Sequence, residues 1–512
     1  MGYRYFETIP GKAERVSYPF GYGLSYTDFA WEILSAGQNG DKICVQVKVT
    51  NTGDTAGKEV IQLYASAPQG KLGKAARSLV AFRKTGLLQP GEAEEMTLEF
   101  SVDAMASYDD LGKVAKAAYV LEKGEYTFHV GNSVRNTRCC DYVFSLTEDR
   151  IVQQLATKMT PHGLKKRLLA DGSYEELPLI ELQEEEPGMM PLTRDELQKA
   201  YPLIRKQIVI PRDRETRNIH WFDEVADGKI TLDEFMTQLS DEDLCYLLSG
   251  QPNQTVADTQ GIGNMPQYGV PNAMTADGPA GVRIRPECGV YTTAFPCATQ
   301  LACSWNPALV YAIGVAGAKE LKENNMAAWL TPAVNIHRNP LCGRNFEYYS
   351  EDPVVSGMMA GEMVKGIQSQ NVSSCVKHFA LNNKETNRKD SNSRISERAA
   401  REIYLKPFEI IVKNAKPWYV MSSYNLINEC RASERRDLLE DILRGEWGFD
   451  GLVSTDWHTY SEQYKEINAG NDLKMPAGFP ERLMEALEKG LTTRAQLEIS
   501  AKRILNLILK LD

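Results

Sequence analysis

The second half of the chain repeats one pattern that few folds can satisfy. Short apolar runs end in a polar or charged residue, and each is followed by a loop and an amphipathic helical stretch such as SERAAREIYLKPFEIIVKN. The runs are NAMTADG, MAAWLTPAV, SSCVKHF, WYVMSSYN and GLVSTDW. This alternation predicts a parallel sheet covered by helices. About 300 residues of it, without a glycine-rich phosphate motif after the first run, favour a TIM-like (β/α)8 barrel over an open doubly wound sheet.

The first part of the chain has a different period. From about Trp31 to Leu146, alternating stretches such as KICVQVKVTN and EYTFHVG are separated by turn sequences such as NTGD and QPGE. This pattern predicts a β-sandwich of the immunoglobulin or fibronectin type III kind, although the Cys-Trp-Cys signature is missing. The predicted fold class is therefore α/β plus all-β, with residues 16–147 as the sandwich, 148–228 as a linker and extension, and 229–512 as the TIM-like barrel.

Composition argues against several classes of function. The 512 residues include 68 acidic and 58 basic side chains, with no basic stripe interleaved with aromatics, so we expect no nucleic acid partner. No apolar run approaches the roughly 18 residues needed to cross a bilayer, so we expect no membrane association. The start MGYRYFETIPGK lacks the features of a secretory signal, which predicts a cytoplasmic location. Ten cysteines without CxxC or histidine spacing predict no metal, no cofactor and no disulfide framework.

Charged and polar side chains stand where the predicted barrel strands end. These ends meet at one mouth of a barrel, although any single carboxylate there is as readily a helix N-cap. Several converging strand ends favour function, because buried charges are costly unless a polar ligand uses them. Sugar hydroxyls donate to carboxylates and accept from cations, so a pentose or hexose fits. The residues are Asp277, Arg344, Glu347, Lys377, His378, Tyr424 and Asp456. The alternative for Lys377 and His378 is a structural ion pair and a core histidine.

Motifs in this half of the chain resemble those of glycoside hydrolase family 3. GFDGLVSTDW, from Gly448 to Trp457, is similar to the nucleophile motif of the family. DGPAGVR, GRNFEYYSEDP, VKHFALNN, VMSSYNLIN and AGNDLKMP also occur in the family's order. The resemblance implies a retaining mechanism with Asp456 as the catalytic nucleophile. It also implies that the substrate is bound by Asp277, Arg344, Lys377, His378, Met421, Tyr424 and Trp457.

The predicted sandwich extends the resemblance, in an unusual order. YPFGYGLSYTDF, from Tyr18 to Phe29, looks like the fibronectin-type domain of the family, which here precedes the barrel. Family members with this inverted order place an α/β sandwich domain first, and residues 1–15 resemble its last piece. In the family that domain carries the glutamate that acts as general acid/base, and no position of this chain matches it. The alternatives are an α/β sandwich on a separate polypeptide, a chain that is a fragment, or an acid from elsewhere.

The predicted function is that of a retaining, exo-acting β-glucosidase, which hydrolyses terminal non-reducing β-D-glucosyl residues of glucosides or oligosaccharides through a glycosyl-aspartate. Asp277, being shorter than glutamate, leaves space for a 6-hydroxymethyl group and resembles glucosidases more than xylosidases. A β-xylosidase or broad-specificity β-glycosidase is the alternative within the class. A catalytically incomplete sugar-binding subunit is the alternative outside it. The acidic residues of the SEDP segment, Glu351 and Asp352, are interpreted as structuring a loop.

Overall fold

A computed structural model describes residues 2–180, 188–202 and 216–511. Its first ten strands are β1 (Phe29–Asn39), β2 (Lys42–Asn51), β3 (Val60–Ser66), β4 (Ser78–Lys84), β5 (Ala93–Ser101), β6 (Ser107–Asp109), β7 (Ala118–Leu121), β8 (Gly124–Gly131), β9 (Thr137–Leu146) and β10 (Arg150–Gln154). One sheet has the order β1-β2-β5 and a second has the order β4-β3-β8-β9. Strands β6, β7 and β10 form a third, small antiparallel sheet.

Alternating burial builds the core of this β-sandwich. On β2 every second side chain is buried, namely Ile43, Val45, Val47 and Val49. These side chains belong to one apolar cluster with residues of β3, β5 and β8, so the cluster joins the two larger sheets. Burying each such side chain contributes about 1.5–3 kcal/mol. The sandwich predicted from the alternation is confirmed.

Residues 148–228, expected to be a linker and extension, contain regular structure where they are described. After β10 comes an antiparallel hairpin of β11 (Lys166–Leu168) and β12 (Tyr174–Glu176), and the helices Arg194–Lys199 and Phe222–Ala226 follow. The segment lies against the barrel, because the Met159 amide donates to Asp437 Oδ2 over 2.7 Å. The parts of the expected linker at 181–187 and 203–215 lie outside the described residues, and the domain boundaries stay predictions.

The remaining strands are β13 (Gly261–Met265), β14 (Val270–Ala276), β15 (Ala328–Trp329), β16 (Ser373–Phe379), β17 (Asn392–Ser393), β18 (Tyr419–Ser422), β19 (Leu426–Ile427), β20 (Cys430–Arg431) and β21 (Leu452–Thr455). Six of them form a sheet in the order β13-β14-β15-β16-β18-β21, parallel from β14 onward. Single bridges from Ser454 to Leu473, from Lys474 to Ser249 and from Gln251 to Gly261 close the ring. Eight chain segments therefore form the predicted TIM-like barrel, which is confirmed.

One barrel segment, β13, runs against its neighbours and was not expected from the sequence. Met265 at its end pairs with Val270 at the start of β14. Only four residues lie between them, and Gly269 takes a φ of +77° in this turn. A parallel pair needs a crossover of a dozen or more residues, so a connection this short permits only an antiparallel pair.

Helices alternate with the barrel strands along the chain. They are Leu232–Met236, Asp241–Leu247, Ala298–Cys303, Pro307–Glu323, Pro353–Gln368, Glu397–Ala399, Ala400–Tyr404, Lys406–Ala415, Asp437–Glu446, Gln463–Ala469, Pro480–Glu488 and Arg494–Ile508. In the part of the chain that the structure describes, no helix combines the length and apolar character needed to span a membrane.

The N-terminal residues bridge the sandwich and the barrel. The short helix Tyr3–Phe6 places the buried Tyr3 between them. Its hydroxyl accepts from the Leu79 amide of β4 and donates to Asp352 Oδ2, each over 2.9 Å. Asp352 also accepts from the amides of Val354 and Val355, which caps the helix Pro353–Gln368. The SEDP segment thus has the structural role that was expected of it.

Candidate active site

The parallel strands bring the expected polar residues to one mouth of the barrel. Ser422 of β18 pairs with Phe379 of β16 on one side and with Thr455 of β21 on the other. Asp456 follows β21 directly, and its amide donates to the Ser422 carbonyl over 3.1 Å. Carboxyl ends of parallel strands converge, and this register places the residues after β16, β18 and β21 around one space.

Asp456 has a buried carboxylate with one engaged oxygen and one free oxygen. Oδ1 accepts from the Trp457 amide over 2.7 Å. Oδ2 is buried and has no hydrogen-bond partner among the described residues, and the ring nitrogen Nε2 of His378 lies 3.8 Å from it. Burial raises the pKa of Asp456, against the opposing influence of Arg344, the Trp457 amide, Lys377 and the Tyr424 phenol. An unpartnered carboxylate oxygen beside cations is suited to nucleophilic attack.

His378 is held as a neutral imidazole. Burial and the positive charges of Arg344, Lys377 and Arg388 lower the pKa of His378 well below its usual range. Its Nε2 lies 2.7 Å from a terminal nitrogen of Arg344, which can only donate, so Nε2 is the acceptor. Nδ1 then carries the proton and donates to Asn335 Oδ1 over 3.3 Å. Asn335 also binds the His378 backbone, which fixes the orientation of the ring.

Asp277 and Lys377 form an ion pair on the opposite part of the mouth. Lys377 Nζ donates to Asp277 Oδ1 over 2.7 Å, and Arg283 lies 3.2 Å from Oδ2. Burial opposes the charge of Asp277, but Lys377 and Arg283 lower its pKa to about 2. Burial likewise opposes the charge of Lys377, whose pKa Asp277 nevertheless raises. Asp277 stays partly exposed, so this charged pair can contact a ligand.

The other three residues expected at the site have distinct environments. Burial and the charge of the neighbouring Asp456 raise the pKa of Tyr424 well above its usual range. The Trp457 indole donates to Gln260 Oε1 over 2.6 Å and is partly buried. Met421 is buried in the apolar cluster inside the barrel and pairs with Ser454 across the sheet. Met421 therefore supports the floor of the mouth.

The sequence reasoning missed several residues of this mouth. Asn335, which orients His378, directly follows the predicted run MAAWLTPAV, but it was not among the polar residues selected at the strand ends. Arg388 lies in the loop after β16, with its guanidinium 4.8 Å from the centre of the Tyr424 ring and 3.1 Å from Glu385. No strand end marks Arg388, and the cluster NNKETNR in that loop was the only available signal.

Other carboxylates near the mouth are engaged by neighbours. Glu347 is buried and accepts from Arg344 Nε. Glu385 is bound by Asn382 and Arg388. Glu351 accepts from the Tyr3 amide over 2.7 Å, and burial raises its pKa. Among the residues that the structure describes, no group of His, Cys, Asp and Glu side chains is arranged to hold a metal ion.

The mouth of this barrel combines a carboxylate oxygen without a hydrogen-bond partner with ion pairs of both signs, which suits a polar ligand with many hydroxyls. The family model "Glycosyl hydrolase family 3 N terminal domain" matches residues 251–507 of this chain. A second model, "Fibronectin type III-like domain", matches residues 59–134. The chain belongs to glycosyl hydrolase family 3.

Individual relatives agree with this assignment. Beta-glucosidase A of Butyrivibrio fibrisolvens is 54% identical over 521 residues, which cover 97% of this chain and 63% of the relative. An exo-alpha-(1->6)-L-arabinopyranosidase of Bifidobacterium longum is 44% identical over 252 residues, which cover 47% of this chain and 33% of the relative. A crystal structure of a beta-glucosidase from Paenibacillus barengoltzii has 40% identity and a TM-score of 0.86, and the match covers 99% of this chain and 58% of that one. The chain thus spans less than two thirds of the length of these relatives.

Proposed function

We propose that this chain carries the sugar site and the nucleophile of a retaining, exo-acting β-glucosidase. The observation that carries the proposal is the free, buried Oδ2 of Asp456 at the end of β21. The neighbouring carboxylates of the mouth are bound by cations or amides, which would weaken them as nucleophiles. The near-complete alignment with Beta-glucosidase A of Butyrivibrio fibrisolvens supports the glucoside as substrate.

In the proposed reaction, Asp456 Oδ2 attacks the anomeric carbon of a bound glucosyl unit. A bond forms between this oxygen and the anomeric carbon while the bond to the leaving oxygen breaks. The electron pair of the broken bond goes to the leaving oxygen, which takes a proton from the general acid. Water then gives a proton to the same group, attacks the anomeric carbon and restores the carboxylate. Arg344 and Lys377 favour the charged form of Asp456 against its burial.

The hydroxyls of the sugar have donors and acceptors in the ion pairs of the mouth. Asp277 would accept from a hydroxyl while Lys377, held by it at 2.7 Å, donates to another. Arg344, in contact with the neutral His378, supplies a further donor near Asp456. Tyr424 and Trp457 would border the same ring. These roles extend the family resemblance to the residues that the barrel brings together.

We propose that the general acid/base is a glutamate of an α/β sandwich domain outside the described part of this protein. Glu347, Glu351 and Glu385, the glutamates in and beside the loops that follow the barrel strands, already have partners. The relatives extend well beyond the aligned region. The glutamate then belongs either to the same longer polypeptide or to a separate one that docks on the barrel mouth. Copurification of a second polypeptide with the natural protein distinguishes these two arrangements.

Specificity for glucose over a pentose is the finer part of the proposal. Asp277 leaves room for the 6-hydroxymethyl group, but the arabinopyranosidase among the relatives keeps a β-xylosidase or broad-specificity β-glycosidase as the alternative. Hydrolysis of 4-nitrophenyl β-glucoside and 4-nitrophenyl β-xyloside, compared by kcat/KM, decides between them. A kcat/KM for the glucoside that is equal to or lower than kcat/KM for the xyloside would favour the β-xylosidase or broad-specificity β-glycosidase.

Covalent labelling tests the nucleophile without needing the general acid. 2,4-Dinitrophenyl 2-deoxy-2-fluoro-β-glucoside has a leaving group that departs without protonation, so we expect stoichiometric attachment at Asp456, located by peptide mass mapping. Asp456→Asn should abolish the label. Asp450→Asn is the matched control, because Asp450 is exposed and lies in the same motif.

Turnover completes the test of this function. With 2,4-dinitrophenyl β-glucoside we expect a burst of phenolate followed by a slow phase, which azide should accelerate by attacking the glucosyl-enzyme in place of activated water. Absence of label, burst and azide effect would contradict the enzyme proposal. Binding of glucose in the absence of all three would favour the sugar-binding subunit instead.

A further inference from the structure

A group of positive charges lies beside the nucleophile and is not used by the chemistry described above. We define the cationic rim as Arg194, Lys389 and Arg431, which surround the ring of Tyr460. Their cationic groups lie 5.5, 4.9 and 5.7 Å from the centre of that ring. Each distance is within the range of a cation–π contact. The rim therefore combines one aromatic face with three cations.

The extension and the loop after β21 together position the rim. Thr459 Oγ1 donates to the Asp456 carbonyl over 2.9 Å, which ties the loop carrying Tyr460 to the nucleophile. The Tyr460 hydroxyl accepts from Gln198 of the helix Arg194–Lys199. The Leu197 carbonyl of the same helix lies 3.3 Å from His458 Nδ1. The helix of the extension thus lies over the rim of the mouth.

The positive charges of the cationic rim outnumber the carboxylates that pair with them. Arg194 and Arg431 share a single carboxylate, Asp390, at 3.1 and 3.3 Å. Lys389 is half-buried and makes no ion pair within the described ranges 2–180, 188–202 and 216–511. This excess of positive charge stands out in a chain whose net charge is −10. Partial burial and Arg388 lower the pKa of Lys389, against the opposing influence of the Asp456 and Asp390 carboxylates.

Lys389 also contacts the site itself. Its ammonium lies 5.6 Å from the centre of the Tyr424 ring, whose phenol is beside Asp456. Asp277 directly follows β14 and Lys377 lies in β16, whereas Tyr460 follows β21 and Arg431 lies in β20. A glucosyl unit bound to Asp277 and Lys377 therefore leaves the side of the mouth with the cationic rim open to the aglycone.

We propose that the cationic rim is a leaving-group site for aromatic aglycones that carry a carboxylate, with Lys389 as the residue that selects the anion. The inference rests on the proposed glucosidase function. The ring of the aglycone stacks near Tyr460, and its carboxylate pairs with the ammonium of Lys389. The substrate class is therefore the β-glucosides of phenolic acids.

Two chromogenic substrates test this selection. 4-Nitrophenyl β-glucoside and 3-carboxy-4-nitrophenyl β-glucoside have good leaving groups and differ in one carboxylate. We expect the unmodified chain to prefer the carboxylated substrate about fivefold in kcat/KM, the size of one accessible ion pair. Lys389→Met should lower the ratio of kcat/KM for the carboxylated substrate to kcat/KM for 4-nitrophenyl β-glucoside to about one, and Lys389→Arg should keep the ratio of the unmodified chain. Lys384→Met is the control, because Lys384 is exposed on the same loop and should not change the ratio.

A binding measurement separates this inference from the function on which it rests. Calorimetric titration with 5-hydroxy-2-nitrobenzoate, the free carboxylated leaving group, should give several-fold weaker binding to Lys389→Met than to the unmodified chain. Equal binding, or an unchanged kcat/KM ratio in Lys389→Met, overturns the inference. If neither glucoside is hydrolysed and the fluoroglucoside label, the burst and the azide effect are also absent, the glucosidase proposal fails, and the titration alone decides the role of the rim.

Discussion

At the residue scale, the cost of burying charge explains both the site and its stability. Asp456 has a free oxygen and a pKa raised by burial, so its ionised form is strained in the folded chain. A carboxyl group whose folded pKa lies above its unfolded pKa stabilises the fold below the unfolded value. That stability is lost as the pH rises through the folded value. At neutral pH the ionised Asp456 therefore serves the reaction but lowers the stability of the fold.

Asp456→Asn should accordingly stabilise the protein at pH 7. We expect a gain of about 1–2 kcal/mol in the free energy of unfolding, because the amide carries no charge to bury. The gain should shrink as the pH falls and Asp456 becomes protonated in the native chain. Urea denaturation at pH 7 and pH 4 measures both values. The same measurement on Asp450→Asn should show no gain, and an equal gain there would refute the role of burial.

The sequence predicted the residues that stand at strand ends but not those that orient them. Asp277, Lys377 and Asp456 follow short apolar runs, which a local pattern reveals. Asn335 and Arg388 act through contacts with His378 and Tyr424. These contacts join loops after different strands, so no local pattern contains them.

At the element scale, small residues decide how closely the barrel helices pack. A Cβ on Gly366 would lie 2.2 Å from the Tyr311 carbonyl oxygen, and one on Gly314 would lie 2.7 Å from the Met363 carbonyl oxygen. The two glycines face each other between the helices Pro307–Glu323 and Pro353–Gln368. The backbones of these helices are therefore in direct contact.

Gly366→Ala should destabilise the protein although alanine favours helix formation. Propensity alone would stabilise by about 1 kcal/mol, whereas the clash with the Tyr311 backbone should cost about 2–4 kcal/mol. Gly361→Ala is the control on the same helix, since its Cβ would meet only Ala415 at 3.9 Å. Thermal unfolding of both variants measures the difference. A destabilised Gly361→Ala with an unaffected Gly366→Ala would contradict the packing argument.

The sequence predicted the direction of the barrel strands that are joined by long connections, but not the direction of β13, whose connection to β14 is short. The runs that became β14, β16, β18 and β21 lie between loops and helices, as a parallel sheet requires. The sequence GIGNM of β13 has no alternation, and its reversal follows from the four-residue connection to β14. The turn rather than the strand pattern determines its direction.

At the scale of the whole molecule, a buried polar network joins the sandwich, the extension and the barrel. Arg401 is fully buried and binds Glu397 at 2.9 Å and both oxygens of Glu446 at 2.6 and 2.9 Å. The Tyr108 hydroxyl of the sandwich donates to Glu397 over 2.7 Å, and the Lys158 amide of the extension donates to the other oxygen of Glu397. The three parts therefore share one set of buried charges.

Arg401→Met should weaken the whole assembly. Removing Arg401 leaves the buried Glu397 and the partly buried Glu446 without their cation, which we expect to cost about 3–5 kcal/mol. Hydrogen exchange should then show β2 of the sandwich and β16 of the barrel opening separately rather than together. Arg494→Met is the control, because the ion pairs of Arg494 are partly exposed and should contribute less than about 1 kcal/mol. Unchanged exchange in both regions would argue against coupling through Arg401.

The sequence alone determined the two kinds of core and the strand ends that carry charge, because periodicity and charge placement are local properties. It did not determine the antiparallel β13, the neutral His378 held by Arg344 and Asn335, or the rim around Tyr460. Each of these depends on segments far apart in the chain. In the cationic rim, Arg194 of the extension and Lys389 after β16 both contact the Tyr460 ring because the folded barrel brings these three segments together. Tertiary structure decided these features, since burial and Coulomb interaction depend on distance in space rather than along the sequence.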